Sequence, residues 1–215
     1  MRLPGGDSEL VQIMDAALAD AARRAGPLLA CRIGCTQCCY GAFAIGPLDG
    51  LRLRAGMEDL RSTDPALAAT LELRARAWIA AHDGFPGEPL TGVLGDSDAD
   101  RSAFEDFADD AACPALDPVT GRCDVYAFRP MTCRVFGPPV EVDAGPLADG
   151  PAYAHCELCF IGATPGQVAA CAMPLPHDLE ARLIAEVERD GLRGETVVAF
   201  ALLKSQLADT PSRSR

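Results

Sequence analysis

The stretch CRIGCTQCCYG places four cysteines, Cys31, Cys35, Cys38 and Cys39, within nine positions, the last two adjacent. Thiols packed this tightly repel one another once ionised unless a cation neutralises them. Metal binding deprotonates and pairs them in a single event. Six further cysteines follow. Cys113, Cys123 and Cys133 are separated by nine residues each, Cys156 and Cys159 form a C-x2-C pair preceded by His155, and Cys171 stands alone in a helical run. On a helix, at about 100° per residue, Cys31, Cys35 and Cys38 lie within roughly 60° of one another while Cys39 points about 100° away from Cys38. Three sulfurs are therefore expected to converge on one centre, with the fourth aimed elsewhere. Gly34 and Gly41 weaken the helical assumption, although a loop also keeps sulfurs this close in sequence within reach.

The second group lies in CDVYAFRPMTCRVFGPP. Pro130 suits the first position of a helix, which places Cys133 in the opening turn, where exposed N–H groups favour a thiolate. Arg129 and Arg134 flank that cysteine. They suit hydrogen bonding to coordinated sulfur, or pairing with surface carboxylates. Four thiolates satisfy zinc, and four also hold an iron–sulfur cluster. Nine grouped cysteines exceed one mononuclear site, so either two centres exist or some thiols are bystanders. C-x2-C spacing occurs only at 35/38 and 156/159, so no clean zinc ribbon is present.

Weaker signals have plainer readings. A lone histidine such as His155 is more often a satisfied polar residue than a ligand. In DSDAD, Arg101 replaces the glycine of a calcium loop and Phe107 stands where its glutamate belongs, leaving a solvated acidic loop. The 156/159 pair lacks the βαβ surroundings of a redox dithiol, and Cys171 reads as a small buried apolar residue. No phosphate-binding loop and no G-x-S-x-G appears.

The elements that position these thiols read as mainly helical. Helices are expected over 7–25, 46–57, 64–84, 96–112, 164–171, 176–191 and 194–209, with a short β-hairpin around the turn DPVTG between Cys113 and Tyr126. The organisation reads as an N-terminal helix (1–30), a cysteine-cluster metal-binding domain (31–160), C-terminal helices packing on the same domain (161–209) and a disordered tail (210–215). The fold class is a small irregular α domain with one hairpin and metal-binding loops. The chain of 215 residues carries a net charge of −12, which repels phosphate backbones and anionic lipid, so neither nucleic acid nor membrane is an expected partner. The start MRLPGGDSEL does not read as a signal peptide, and no apolar run reaches spanning length, so a cytoplasmic location is expected. A reducing cytosol favours metal ligation over disulfides.

The order C-x3-C-x2-C-C, then CPALDPVTGRC, then CDVYAFRPMTCR resembles the YkgJ family of bacterial cysteine-cluster proteins across roughly residues 31 to 160. That resemblance implies a zinc- or iron-chelating module with Cys31, Cys35, Cys38, Cys39, Cys113, Cys123 and Cys133 as the chelating set. It also implies structural or sulfur-supporting roles for Tyr126, Arg129, Pro130 and Arg134. Cys156 and Cys159 join the expected ligands by their own spacing. The expected function is metal binding through clustered thiolates with no reaction assigned, and the expected partners are metal ions. An iron–sulfur cluster, 4Fe–4S in particular, is favoured over zinc because the ligand count and flanking arginines suit a polynuclear centre. The alternative is a cluster-dependent enzyme, either an electron-transfer oxidoreductase or a protein-modifying enzyme.

Overall fold

The computed structural model describes residues 2–143 and 150–203. Its helices are α1 (Asp7–Ala25), α2 (Pro47–Thr63), α3 (Pro65–Ala81), α4 (Asp98–Glu105), α5 (Met131–Val135), α6 (Pro165–Ala170), α7 (His177–Arg189) and α8 (Val198–Ala201). Two antiparallel hairpins join β1 (Gly87–Glu88) to β2 (Val93–Leu94) and β3 (Val140–Val142) to β4 (Ala152–Ala154). The fold is mainly α, with its cysteines gathered in the connecting loops. The chain divides into two compact units. Unit one contains residues 36–130 and the chain from Ile184 onward, together with the first three residues; unit two contains Pro4–Cys35 and Met131–Leu183.

Unit one is built on the pair α2 and α3. Asp64 separates them and serves both: its N–H donates to Leu60 O at 2.8 Å, closing α2, while its carboxylate accepts from Leu67 N–H at 3.0 Å, opening α3 ahead of Pro65. This is N-capping by a short polar side chain beside a proline already fixed at helical φ. Leu53 and Met57 of α2 meet Ala68, Leu71 and Ala75 of α3, Val198 and Ala201 of the last helix, and Leu202 just after it in one buried cluster. The alanines let the helices approach closely, and burying this apolar surface is the main stabilising contribution.

α2 runs six residues beyond the expected end at Met57. Gly56, which lowers helix propensity, is retained because a Cβ there would lie 2.2 Å from Cγ of Phe128. Phe128 belongs to a short 3-10 turn, Tyr126–Phe128, seated on α2. The acidic helix is also shorter than its pattern, ending at Glu105. Ser97 and Asp100 cap it reciprocally, and Phe107 turns away to meet Trp78 and Phe85 edge-on. The expected hairpin between 113 and 126 forms as a tight loop with a single bridge, Leu116 to Cys123. The β-ladder of this unit instead lies at β1–β2, between α3 and α4. Only Val198–Ala201 of the expected last helix is α-helical; its part beyond Leu203, and the expected tail at 210–215, lie outside the described residues.

In unit two α1 packs against α5, and the unit also holds β3–β4, α6 and the first part of α7. α1 starts at Asp7 after Gly6, without a side-chain cap. Arg24 near its end donates to the carbonyls of Ala170 and Ala172, closing off α6. Thr164 and Gln167 form a reciprocal cap at the start of α6.

Candidate metal centres

All ten cysteines are free thiols. The tight stretch that opens the sequence is not a helix. Gly34 takes a left-handed φ of +87°, and only Gln37–Cys39 coils, as one 3-10 turn. The expected single face for Cys31, Cys35 and Cys38 is thereby lost, because a positive φ reverses the chain direction between the first two cysteines. The boundary between the two units falls after Cys35. The C-x3-C-x2-C-C motif therefore divides between Cys35 and Cys38, not between Cys38 and Cys39 as the helical period predicts.

In unit one, Cys38, Cys39, Cys113 and Cys123 come together from three chain segments. The N–H of Cys113 donates to Cys39 O at 2.7 Å, and Tyr40 bridges Ala112 alongside. The loop then turns on Asp117, whose N–H donates to Arg122 O at 2.8 Å, and returns through the Leu116–Cys123 bridge. That return carries Cys123 back beside Cys113. Both half-buried thiols pack against the α2–α3 core. Arg74 of α3 holds the loop from outside, donating to Leu116 O at 3.1 Å and to Asp124 Oδ2 at 2.8 Å.

Of the four thiols, Cys38 is lowered, whereas Cys39, Cys113 and Cys123 are raised. Burial pushes the Cys113 thiol up to about 12, opposed by N–H donors from Ala115 and Leu116. Burial raises Cys123 too, opposed by the Val125 N–H and the Arg129 guanidinium. Cys38 and Cys39 share a proton. The Cys39 thiol donates to the Cys38 sulfur, and with the help of Arg129 lowers Cys38 to about 6, while Cys39 is driven far upward as the donor. Arg129 is held in place over the Tyr126 ring, its guanidinium carbon 3.8 Å from the ring centre. The arginine expected to support sulfur therefore stands beside two of the four thiols, with the expected Tyr126 as its platform.

In unit two, Cys31, Cys35, Cys156 and Cys159 form a second group. Cys159 hydrogen-bonds with both Cys31 and Cys156, and Cys35 lies within the field of each. Cys156–Cys159 is a turn closed by Cys159 N–H to Cys156 O at 2.9 Å, and the following Phe160 sits at a φ of +59°. The Leu158 N–H donates to the Cys156 sulfur and the Ala30 N–H to that of Cys159, the latter at 3.4 Å. Phe160 N–H, bound to Leu28 O at 2.7 Å, ties the turn to the chain entering Cys31. Gly137 passes so close that a Cβ on it would lie 2.7 Å from the Cys31 sulfur.

Cys133 is half-buried on α5. Arg134, fully buried, is paired with Asp15 of α1 at 2.6 Å. His155 is exposed, its Nδ1 3.0 Å from Cys156 O and its ring against Phe160. Cys171 is buried in the apolar cluster behind Cys156 and Cys159.

Sequence reasoning missed Arg74, Asp124 and Gly137. An arginine in the middle of α3 and a glycine directly before Pro138–Pro139 were the signals available. Among the described residues, no three histidine, cysteine, aspartate or glutamate side chains stand closed to ion-holding geometry. What fits a metal is the donor set itself: eight sulfurs in two groups of four, with backbone N–H groups aimed at sulfur in each. Soft thiolates with such donors suit zinc and iron–sulfur centres.

No curated protein and no solved structure matches the chain. A family model does, over residues 30–145, more than half of the chain, and its description is "Putative zinc- or iron-chelating domain". On that match, and with the clustered thiols it covers, the chain belongs to the CxxCxxCC family of zinc- or iron-chelating domains.

Proposed function

We propose that this protein binds its metal as an iron–sulfur cluster of the 4Fe–4S type, with zinc as the other occupant that four thiolates accept, in a reducing, cytoplasmic setting. The observation that carries the reading is the gathering of Cys38, Cys39, Cys113 and Cys123 in unit one, with Arg129 beside them. When bound, the metal supplies a positive centre that ionises the thiols. The chain's part is to present four sulfurs from three segments, to aim N–H groups of Ala115, Leu116 and Val125 at two of them, and to offset negative charge with one guanidinium. Burial holds Cys113 and Cys123 protonated in the metal-free chain, and a bound cation offsets the charge that ionising them buries.

Anaerobic purification, followed by metal analysis and a visible spectrum, tests this directly. A brown protein carrying iron and sulfide supports the cluster, and a colourless protein carrying zinc supports the alternative occupant. A protein carrying neither, which also takes up neither on reconstitution, overturns the proposal.

A further inference from the structure

We infer that Cys31, Cys35, Cys156 and Cys159 form a second metal centre, separate from that of unit one and built wholly within unit two. It takes a thiophilic cation of the zinc or iron class. This goes beyond the family match, which ends at residue 145 and so leaves out two of the four sulfurs. It rests on the reading that thiols of this chain bind metal, and adds that they do so at two places.

Four observations carry it. First, each sulfur is among the leading neighbours of another: Cys159 hydrogen-bonds with Cys31 and Cys156, and Cys35 is felt by both. Second, the Cys156–Cys159 turn has the features of a ligand loop. Its ends are closed by a 2.9 Å backbone bond, a residue of positive φ follows, and an N–H two residues on donates to the first sulfur. Cys113 and Cys123 repeat that donation from the residue two positions on, at the other group. Third, the Ala30 N–H reaches the Cys159 sulfur from the segment that carries Cys31 and Cys35, so the two halves of the group are bound to one another through sulfur. Fourth, Gly137 leaves room for the Cys31 sulfur that any side chain would take.

The chemistry points to a cation. Cys156 and Cys159 are buried against Phe160, Ala25 and Cys171, an apolar setting in which a cluster of four thiols with N–H donors gains from an ion that converts them to paired thiolates. The spacing of the donors also fits. A C-x3-C and a C-x2-C, each on a short loop, supply two sulfurs apiece, as paired ligand loops do at closed tetrahedral sites.

Zn2+ titration of the reduced, metal-free full chain against a chromophoric chelator tests this without knowledge of the native metal. The wild type is expected to bind two equivalents. C156S/C159S and C113S/C123S are each expected to bind one, and the variant combining all four substitutions none. A wild type that binds no Zn2+ sinks the metal-binding reading as a whole. A C156S/C159S variant that binds as much as wild type sinks the second centre alone. Loss of all binding in either double variant shows one shared centre and also overturns it. A mapping that needs no variant guards against misfolding: iodoacetamide labelling of wild type with and without Zn2+, read by mass spectrometry. Joint protection of Cys31, Cys35, Cys156 and Cys159 supports the centre. Equal labelling of those four in both samples, or a native Cys156–Cys159 disulfide, refutes it.

Discussion

The backbone N–H of Cys113 donates to the carbonyl oxygen of Cys39 across 2.7 Å, joining the adjacent cysteines of the opening motif to a loop that begins more than seventy residues later. This bond sets the approach of two thiols at once. It lies on the same face as the bridge between Tyr40 and Ala112, so the loop cannot slide without breaking both.

Arg74 is expected to keep that loop in place. Replacing it with alanine removes the bonds to Leu116 O and Asp124 Oδ2, both partly buried. The variant Arg74→Ala should lose about 1–2 kcal/mol of stability. It should also release metal to a chelator faster than wild type. Denaturant midpoints and chelator-release traces check the two effects, and a variant unchanged in both would show the clamp to be idle.

Gly137 has a φ of +126°, and a Cβ on it would overlap the Cys31 sulfur. Gly137→Ala should therefore destabilise by about 1–3 kcal/mol through strain and overpacking. Its metal loss should fall on Cys31, Cys35, Cys156 and Cys159 and spare Cys38, Cys39, Cys113 and Cys123, as seen by protection from alkylation with Zn2+ present. Uniform loss over all eight would contradict this.

Alkali should destabilise the metal-free protein. Burial lifts Cys113 from its ordinary 9.0 to about 12, and burial followed by the neighbouring Cys159 lifts Cys31 equally far. A thiol with a raised folded pKa holds its proton more tightly in the native state than when unfolded. Its contribution is complete below pH 9 and falls away as pH rises toward 12. The metal-loaded form, already ionised at its ligands, should stay level through the same window. Urea titrations of both forms across that range measure the difference. Loading near neutral pH should release protons, which an indicator dye records.

Cys38 should be the most reactive thiol of the metal-free chain. The Cys39 thiol donating to it, with Arg129 nearby, lowers it to about 6, so it is largely thiolate at neutral pH. Timed alkylation at pH 7 should label Cys38 first, and Arg129→Gln should move its reaction midpoint to higher pH. Labelling that starts at Cys113 would disprove the shared-proton arrangement.

Much of this was readable from residue types alone. Asp64 with Pro65 marks the start of α3, and Pro130 the helix that carries Cys133; both rest on local chemistry that acts within a few residues. The nine grouped cysteines mark the site region. How the sulfurs are shared out was not legible, because it depends on Gly34 reversing the chain and on segments over a hundred residues apart meeting. Helical period cannot see either. The length of α2 was missed for a related reason: Gly56 reads as a stop until the Phe128 ring is found in the space beside it.

Trp78 is the chain's sole tryptophan, and it shares the walls of a small solvent-open recess with Cys113, Pro114 and Val197. Its indole stacks on His82 with ring centres 4.4 Å apart. Nature has thus installed an optical gauge: emission from this one fluorophore reports on the neighbourhood of a single candidate ligand, and quenching or spectral drift during metal uptake offers a label-free clock for following it.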